Sequence, residues 1–127
     1  MRVVFLDRDG VVNEDREDYV KSWDEFVLIE GSLEALALLN RAGWEIILVT
    51  NQSGVGRGLY PEETVHDVHA RLARRAETAG ARIKDIFYCP HAPGDNCDCR
   101  KPEPGMFHAA QKAHGLDLSR CIMIGDS

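Results

Sequence analysis

The sequence has no apolar run long enough to cross a membrane as a helix, and it has no internal repeat or low-complexity segment. A predicted strand starts within the first few residues and leaves no room for a signal peptide, so we expect a cytoplasmic protein. Positive charge is scarce, because 15 Lys and Arg stand against 21 Asp and Glu and the net charge is −6. This balance argues against a general nucleic-acid surface, but a small phosphorylated substrate needs only a local cluster of cations.

Cysteine is also rare, with four in 127 residues, yet three of the four lie between positions 89 and 99 beside a histidine. In a reducing compartment this grouping favours a metal site over disulfides. Cys89, His91, Cys97 and Cys99 make a complete tetrahedral set for a structural zinc ion that would hold the loop in place. The alternatives are a disulfide or four unrelated residues, although the Cys97-x-Cys99 spacing is geometrically poor for a mutual disulfide.

The sequence does contain a regular series of short apolar runs separated by helical patterns. Its length and its hydrophobic content of 44% suit a single domain over residues 1–127 with a real core. Strands are predicted near residues 3–6, 46–49, 86–88 and 121–124, and helices near 32–43, 61–80 and 104–115. Because strand–helix–strand units make strands parallel, we expect an α/β, Rossmann-like three-layer sandwich with a mainly parallel sheet and no large cap domain.

Several local features complete this expected fold. Residues 11 to 30 form a long polar loop, which either closes over the sheet edge as a flap or is pinned to the body by its aromatic side chains. The glycine-rich segment 54–58 is predicted to be a flexible turn. His66 and His69 are expected to be solvated residues of one helix, since that helix offers no third metal ligand. Cys121 is expected to be a small buried residue of the last strand.

Polar residues follow three of the predicted strands at their carboxyl ends, where open α/β sheets bind ligands. Asp7 and Asp9 follow the first strand, Thr50 follows the second, and Asp126 follows the last. Two carboxylates this close repel, so they need a cation or a shared proton between them, and oxygen ligands suit magnesium. The simpler alternative for the first strand is that it ends in a solvated acidic turn.

Arg100 and Lys101 add two cations on the loop that zinc would hold in place. A lysine, a hydroxyl group and a metal ion around one point suit the negative charge of a phosphoryl group. One aspartate can then attack phosphorus to form an acyl phosphate, while the other protonates the departing oxygen and later activates water. The spacing alone does not decide which aspartate has which role.

These motifs resemble those of the haloacid dehalogenase-like phosphatases over essentially the whole chain. The segment Asp7-Arg8-Asp9-Gly10-Val11 resembles the first family motif, and Thr50, Lys101 and Gly125-Asp126 resemble the second, third and fourth in order. More specifically, the segments at 7–10, 50–54 and 57–58 and the Cys-Pro-His…Cys-Asp-Cys-Arg-Lys-Pro loop look like those of the D-glycero-D-manno-heptose 1,7-bisphosphate phosphatases. The related histidinol-phosphate phosphatases share the zinc loop.

The resemblance implies a role for each matched residue. Asp7 would be the nucleophile and a magnesium ligand, and Asp9 would be the general acid/base, with its backbone carbonyl also on magnesium. Asp126 would complete the protein ligands of magnesium, while Thr50 and Lys101 would hold the transferring phosphoryl group. The substrate-binding residues implied in the same way are Asp15, Tyr19, Asn51, Gln52, Ser53, Arg57 and Arg100.

The implied activity is magnesium-dependent hydrolysis of a sugar phosphate by a monomer, through an aspartyl-phosphate intermediate. The segment 53–58 favours the 7-phosphate of heptose bisphosphate, in lipopolysaccharide synthesis, whereas the short zinc loop favours histidinol phosphate. A zinc-stabilised binding module without catalysis is the third alternative, and the presence of both aspartates with Thr50 and Lys101 speaks against it. Family members continue beyond the fourth motif, so we expect this sequence to lack the C-terminal part of the fold.

Overall fold

The computed structural model describes residues 2–125, and in this range the chain forms four β-strands and four α-helices. The strands are β1 (Arg2–Leu6), β2 (Trp44–Asn51), β3 (Ile83–Cys89) and β4 (Ile122–Ile124). The helices are α1 (Ser32–Arg41), α2 (Ser53–Gly56), α3 (Glu62–Thr78) and α4 (Gly105–His114), with short 3₁₀ turns at Trp23–Glu25 and Leu118–Arg120. None of the helices within residues 2–125 has both the length and the apolar character that a membrane span requires.

The four strands form one parallel sheet in the order β3-β2-β1-β4. Phe5 of β1 lies opposite Ile47 of β2 on one side and Met123 of β4 on the other. Strand β2 continues three residues beyond Leu48, which pairs with the last residue of β1. The parallel arrangement confirms the predicted fold class and brings the residues after β1 and the end of β2 to the same edge of the sheet.

Side chains of the central strands alternate between two cores, as the period of a β-strand requires. Val4 and Leu6 pack toward α1 and α3, whereas Val3 and Phe5 pack toward α4. Phe107 of α4 meets the ring of Phe5 edge-on, with 5.0 Å between the ring centroids. The helices therefore cover both faces of the sheet, and the predicted three-layer sandwich is confirmed.

The loop between β1 and α1 is packed against the body at several points along its length. Val12, Val20 and Phe26 are buried in the core that α1 and α3 share. Trp23 stacks on Phe26 with 5.1 Å between the ring centroids. The alternative in which aromatic side chains pin this loop is therefore the one that the packing supports, and the middle of the loop, near Tyr19, forms one wall of the cavity described below.

Two of the local predictions are wrong. The segment that begins at Ser53 is the short helix α2 rather than a flexible turn, and a side chain at Gly54 would overlap the ring of Tyr60. Glycine is needed at this position because of the close approach of Tyr60, not because the chain must bend freely. Cys121 precedes β4 instead of lying within it and is only partly buried, since β4 is a largely exposed edge strand.

Candidate active site

A cavity of about 790 Å³ opens at the carboxyl edge of the sheet. Six of the residues predicted from the sequence line this cavity, and they are Asp7, Asp9, Asp15, Tyr19, Asn51 and Lys101. Arg16 and Glu17 also line it, and they lie within the segment from Asp15 to Tyr19 that the resemblance implies as a substrate-contacting loop. The cavity therefore combines carboxylates from the first motif, the lysine of the third motif and the middle of the loop that follows β1.

Asp7 and Lys101 form an ion pair inside the cavity. The ammonium group of Lys101 lies 2.9 Å from Oδ1 of Asp7 and also donates to the carbonyl oxygen of Val49 at 3.2 Å. The backbone N–H of Arg8 donates to the same Oδ1 atom at 2.9 Å. Both side chains remain partly accessible from the cavity, so an anionic group that enters it would meet the lysine and the carboxylate together.

Asn51 connects the end of β2 to the loop that carries Lys101. Its Oδ1 atom accepts the backbone N–H of Lys101 at 2.9 Å, and its Nδ2 atom donates to the carbonyl oxygen of the same residue at 3.4 Å. These two contacts fix the backbone of Lys101 relative to the sheet. Asn51 was predicted as a substrate-binding residue, and the structure adds this positioning contact to its place on the cavity wall.

The carboxylate of Asp9 is held by side chains on both of its oxygens. Its Oδ1 atom accepts from Nε and Nη2 of Arg8, at 3.1 and 2.8 Å, and from Nδ2 of Asn13 at 2.9 Å. Its Oδ2 atom accepts from Nε2 of Gln52 at 3.0 Å and from the hydroxyl of Thr50 at 3.4 Å. The carboxylate of Asp9 therefore lines the cavity in an orientation that these neighbouring side chains fix.

Gln52 and Ser53 lie behind the cavity wall and do not line the cavity. Gln52 is only 2% exposed, and its Oε1 atom accepts the hydroxyl of Tyr60 at 2.9 Å. The hydroxyl of Ser53 donates to the hydroxyl oxygen of Tyr19 at 3.2 Å. Both residues support side chains that do face the cavity, and substrate contact by Gln52 and Ser53 themselves stays a prediction.

Three more predicted residues, Thr50, Arg57 and Arg100, lie apart from the cavity lining. Thr50 is fully buried, and its hydroxyl lies 3.4 Å from Oδ2 of Asp9. Contact of Thr50 with a phosphoryl group stays a prediction. Arg57 is exposed after α2, and Arg100 lines a separate depression of about 280 Å³ on the cysteine-rich loop. Substrate binding by Arg57 and Arg100 stays a prediction. Asp126, the third predicted magnesium ligand, lies outside the described residues.

The cysteine-rich loop brings its four predicted ligands together, and all four ligand atoms lie within 4.8 Å of one another. The Sγ of Cys89 is 3.4 Å from Nδ1 of His91 and 3.6 Å from Sγ of Cys97, and the same imidazole nitrogen is 3.2 Å from Sγ of Cys99. Ligands of a tetrahedral zinc ion stand about 3.8 Å apart when the Zn–S distance is about 2.3 Å. All four cysteines are free thiols, so the disulfide alternative is wrong, and the spacing fits zinc.

A buried polar cluster behind Asp9 was not predicted. Arg8 is only 1% exposed, and its Nη1 atom lies 3.1 Å from Nε2 of His69. The prediction that His69 is solvated is wrong, since this residue is only 7% exposed on the inner face of α3. The sequence carried a signal for this position, because His69 follows the buried Val65 by four residues and therefore shares its side of the helix.

Burial governs the charge of two buried side chains near Asp9, His69 and Tyr60. Burial, and to a smaller extent the positive charge of Arg8, lower the pKa of His69 to about 3. Burial likewise raises the pKa of Tyr60 to about 12. Both side chains are therefore neutral near pH 7 and act through hydrogen bonds.

The rim of the cavity carries a surface network of charges. Arg16 binds both carboxylate oxygens of Asp18, at 2.9 and 3.1 Å, and Lys21 contacts Asp18 and Glu25 at 3.0 and 3.1 Å. The hydrogen bonds from Arg16 and then from Lys21 hold the pKa of Asp18 well below its usual range. These exposed contacts give the loop a defined shape at the cavity, but each adds little to stability.

This parallel α/β sheet carries two aspartates and a lysine at its carboxyl edge. Such an arrangement is typical of hydrolases in which an aspartate attacks a phosphoryl or related group. Residues 1–127 match the model of the haloacid dehalogenase-like hydrolase family. The chain therefore belongs to this family, and the resemblance found in the sequence is confirmed.

Two relatives and one crystal structure show which members of the family this chain resembles. The chain is 46% identical to D-glycero-beta-D-manno-heptose-1,7-bisphosphate 7-phosphatase of Pseudomonas aeruginosa, over 98% of this chain and 70% of that protein. It is 45% identical to the protein of the same name from Pseudomonas putida, over 100% of this chain and 73% of that protein. The crystal structure of D,D-heptose 1.7-bisphosphate phosphatase from B. bronchiseptica, complexed with magnesium and phosphate, matches with a TM-score of 0.94 at 44% identity. That match covers 100% of this chain and 71% of the other.

Proposed function

We propose that this protein is a magnesium-dependent phosphatase that removes the 7-phosphate of D-glycero-D-manno-heptose 1,7-bisphosphate. The observation that carries the chemistry is the ion pair between Asp7 and Lys101, which lies in the same cavity as Asp9. The identity of 43 to 46% to relatives named for this substrate supports the choice of sugar.

The residues support a reaction in two steps. In the first step an oxygen of Asp7 bonds to phosphorus, the bond from phosphorus to the sugar oxygen breaks, and a proton on Asp9 passes to that oxygen. In the second step Asp9 takes a proton from water, the water oxygen bonds to phosphorus, and the bond to Asp7 breaks to release phosphate. Lys101 offsets the negative charge of the phosphoryl group in both steps.

Magnesium fits the donor atoms at this edge of the sheet. Asp7 faces the cavity, and its carboxylate offers the oxygen ligands that magnesium prefers. The carbonyl oxygen of Asp9 is the second proposed ligand, and Asp126 is the third. When bound, magnesium would add positive charge against the phosphoryl oxygens and so assist attack by a carboxylate.

Zinc is proposed only as a structural ion. Three thiolates and one imidazole satisfy a tetrahedral ion completely, so the loop would hold Lys101 in place without contributing chemistry of its own. We also propose that the protein is cytoplasmic, since a reducing compartment keeps these thiols available for metal, and that it acts as a monomer.

The test is phosphate release with magnesium from heptose bisphosphate and, in parallel, from histidinol phosphate, with Asp7→Asn as the blank. Faster turnover of the heptose compound is the expected result, with no turnover by the variant. Preference for histidinol phosphate would replace the substrate, while no release from either compound by a folded, zinc-loaded protein would favour the binding-module alternative. Measurable turnover by Asp7→Asn would remove Asp7 as the nucleophile.

A further inference from the structure

Two chains of hydrogen bonds reach Asp9 from buried side chains that do not line the cavity. One runs from His69 through Arg8 to Oδ1 of Asp9, and the other runs from Tyr60 through Gln52 to Oδ2. We propose that His69 and Tyr60 are positioning residues, which fix the orientation of the Asp9 carboxylate for proton transfer. This inference rests on the proposed phosphatase function, in which Asp9 is the general acid and base.

The first chain depends on a histidine that accepts a hydrogen bond. A guanidinium group can only donate, so Nε2 of His69 must accept from Nη1 of Arg8, which leaves the imidazole proton on Nδ1. With Nη1 held by His69, the Nε and Nη2 atoms of Arg8 both face Oδ1 of Asp9. Phe26 packs under the guanidinium, with 5.5 Å between the Arg8 carbon and the ring centroid, and limits its rotation.

The second chain depends on which way the amide of Gln52 points. The hydroxyl of Tyr60 donates to Oε1, so Nε2 is turned toward Oδ2 of Asp9 and the hydroxyl oxygen of Thr50. Without the hydroxyl of Tyr60, Oε1 loses its donor and the amide is held only by the contacts of Nε2 with Asp9 and Thr50. The orientation of the amide, and with it that of the Asp9 carboxylate, would then be less closely fixed.

The two chains leave the oxygens of Asp9 with different capacities. Oδ1 accepts three hydrogen bonds from Arg8 and Asn13 and has little acceptor capacity left. Oδ2 accepts one well-formed bond from Gln52 and a long contact of 3.4 Å from Thr50. Oδ2 therefore has the greater remaining acceptor capacity, and the proposal assigns to it the proton that passes to the departing sugar oxygen and is taken back from water.

The experiment removes the far end of each chain and measures kcat and KM with heptose bisphosphate and magnesium. Tyr60→Phe deletes one hydroxyl group, and His69→Leu deletes the acceptor for Arg8. His69→Gln restores an acceptor oxygen near the same place. Tyr88→Phe and His66→Gln are the matched controls, because the hydroxyl of Tyr88 donates to Glu62 and contacts His66 at the surface, away from Arg8 and Gln52. Tyr88→Phe keeps the aromatic ring that meets the ring of His69 edge-on, so this variant removes only the hydroxyl group.

We expect kcat to fall about tenfold in Tyr60→Phe and in His69→Leu, with KM changed less than about twofold. His69→Gln should recover most of the loss, and both controls should match the unmodified protein. Unchanged kcat in Tyr60→Phe and His69→Leu would overturn the proposal. A general loss of folding would instead lower the melting temperature, and thermal melting of each variant checks this separately from kcat.

A second readout is independent of turnover. Nitrogen-15 NMR of the imidazole should show the proton of His69 on Nδ1, and the Nε–H resonance of Arg8 should shift in His69→Leu but not in His66→Gln. A proton on Nε2 of His69 would overturn the first chain. If the unmodified protein releases no phosphate from any sugar phosphate, the proposed function fails, while the NMR result still decides whether these hydrogen bonds exist.

Discussion

Acidification should destabilise the folded protein through His69 in particular. Burial, with a smaller contribution from Arg8, lowers the pKa of His69 from its ordinary value of 6.5 to about 3. Between these two values the unfolded chain binds a proton at this site and the folded chain does not. Stability is therefore complete above the unfolded pKa and is lost as the pH falls below it.

The size of the effect follows from this shift. At about pH 5 the unfolded chain is almost fully protonated at this histidine, and the linkage amounts to roughly 2 kcal/mol of unfolding free energy. At about pH 7.5 the same linkage contributes less than about 0.1 kcal/mol. Since a typical domain is stable by only about 5 to 15 kcal/mol, the loss near pH 5 should be readily measured.

The assay is urea unfolding of the zinc-loaded protein at about pH 7.5 and about pH 5, because the linkage of His69 changes most between these values. Three proteins are compared: the unmodified chain, His69→Gln, which does not titrate, and His66→Gln, which removes an exposed histidine from the same helix. The unmodified chain should lose about 2 kcal/mol more than His69→Gln between the two pH values. The other titrating groups, including the thiols, are the same in the unmodified protein and in His69→Gln. Their contributions therefore cancel when the stability changes of these two proteins are subtracted.

Two results would refute the reasoning. Parallel loss of stability in the unmodified chain and His69→Gln would mean that His69 is not held neutral by burial. An equal effect of His66→Gln would mean that the pH dependence comes from this part of the helix in general. The expected result is that His66→Gln follows the unmodified chain.

Three further predictions concern the metal loop, the cavity lysine and the packing of α2. Cys97→Ser should lose bound zinc and melt several degrees lower, because metal binding stabilises the folded loop. The matched Cys121→Ser should keep its zinc and its melting temperature. Equal zinc content and equal melting temperature in the two variants would refute the structural site. Lys101→Met should lower kcat by about 100-fold or more with the fold retained, and near-normal turnover would exclude this lysine from the reaction. Gly54→Ala should cost about 1 to 3 kcal/mol in urea unfolding because its methyl group meets the ring of Tyr60, and an unchanged midpoint would contradict this contact.

The sheet and its reactive edge could be predicted because they depend on local patterns. Apolar runs bounded by polar residues gave the four strands, and the handedness of strand–helix–strand units made them parallel. That rule alone places Asp7 and Asp9 beside the end of the strand that carries Thr50. The grouping of the cysteine-rich loop was predictable for the same reason, since all four ligands lie within eleven residues of the chain.

The buried cluster behind Asp9 could not be predicted in the same way. An arginine between two aspartates looks like a solvated residue, and only the packing of α3 and the β1–α1 loop encloses Arg8. The role of Gln52 depends on Tyr60, which comes from a different segment and reaches it through tertiary contact. The pattern of α3 did place His69 beside buried valines, but its partner could not be identified without the fold.

The close contact between Gly54 and Tyr60 bears on how related sequences can diverge. A side chain at position 54 lowers stability while position 60 keeps a large ring, and loss of the hydroxyl at position 60 leaves the amide oxygen of Gln52 without its donor. Single substitutions at either position should therefore be selected against, and compensated changes should occur at 52, 54 and 60 together. In sequences that descend from a common ancestor these three positions should therefore change together. Frequent independent replacement of any one of them would contradict this expectation.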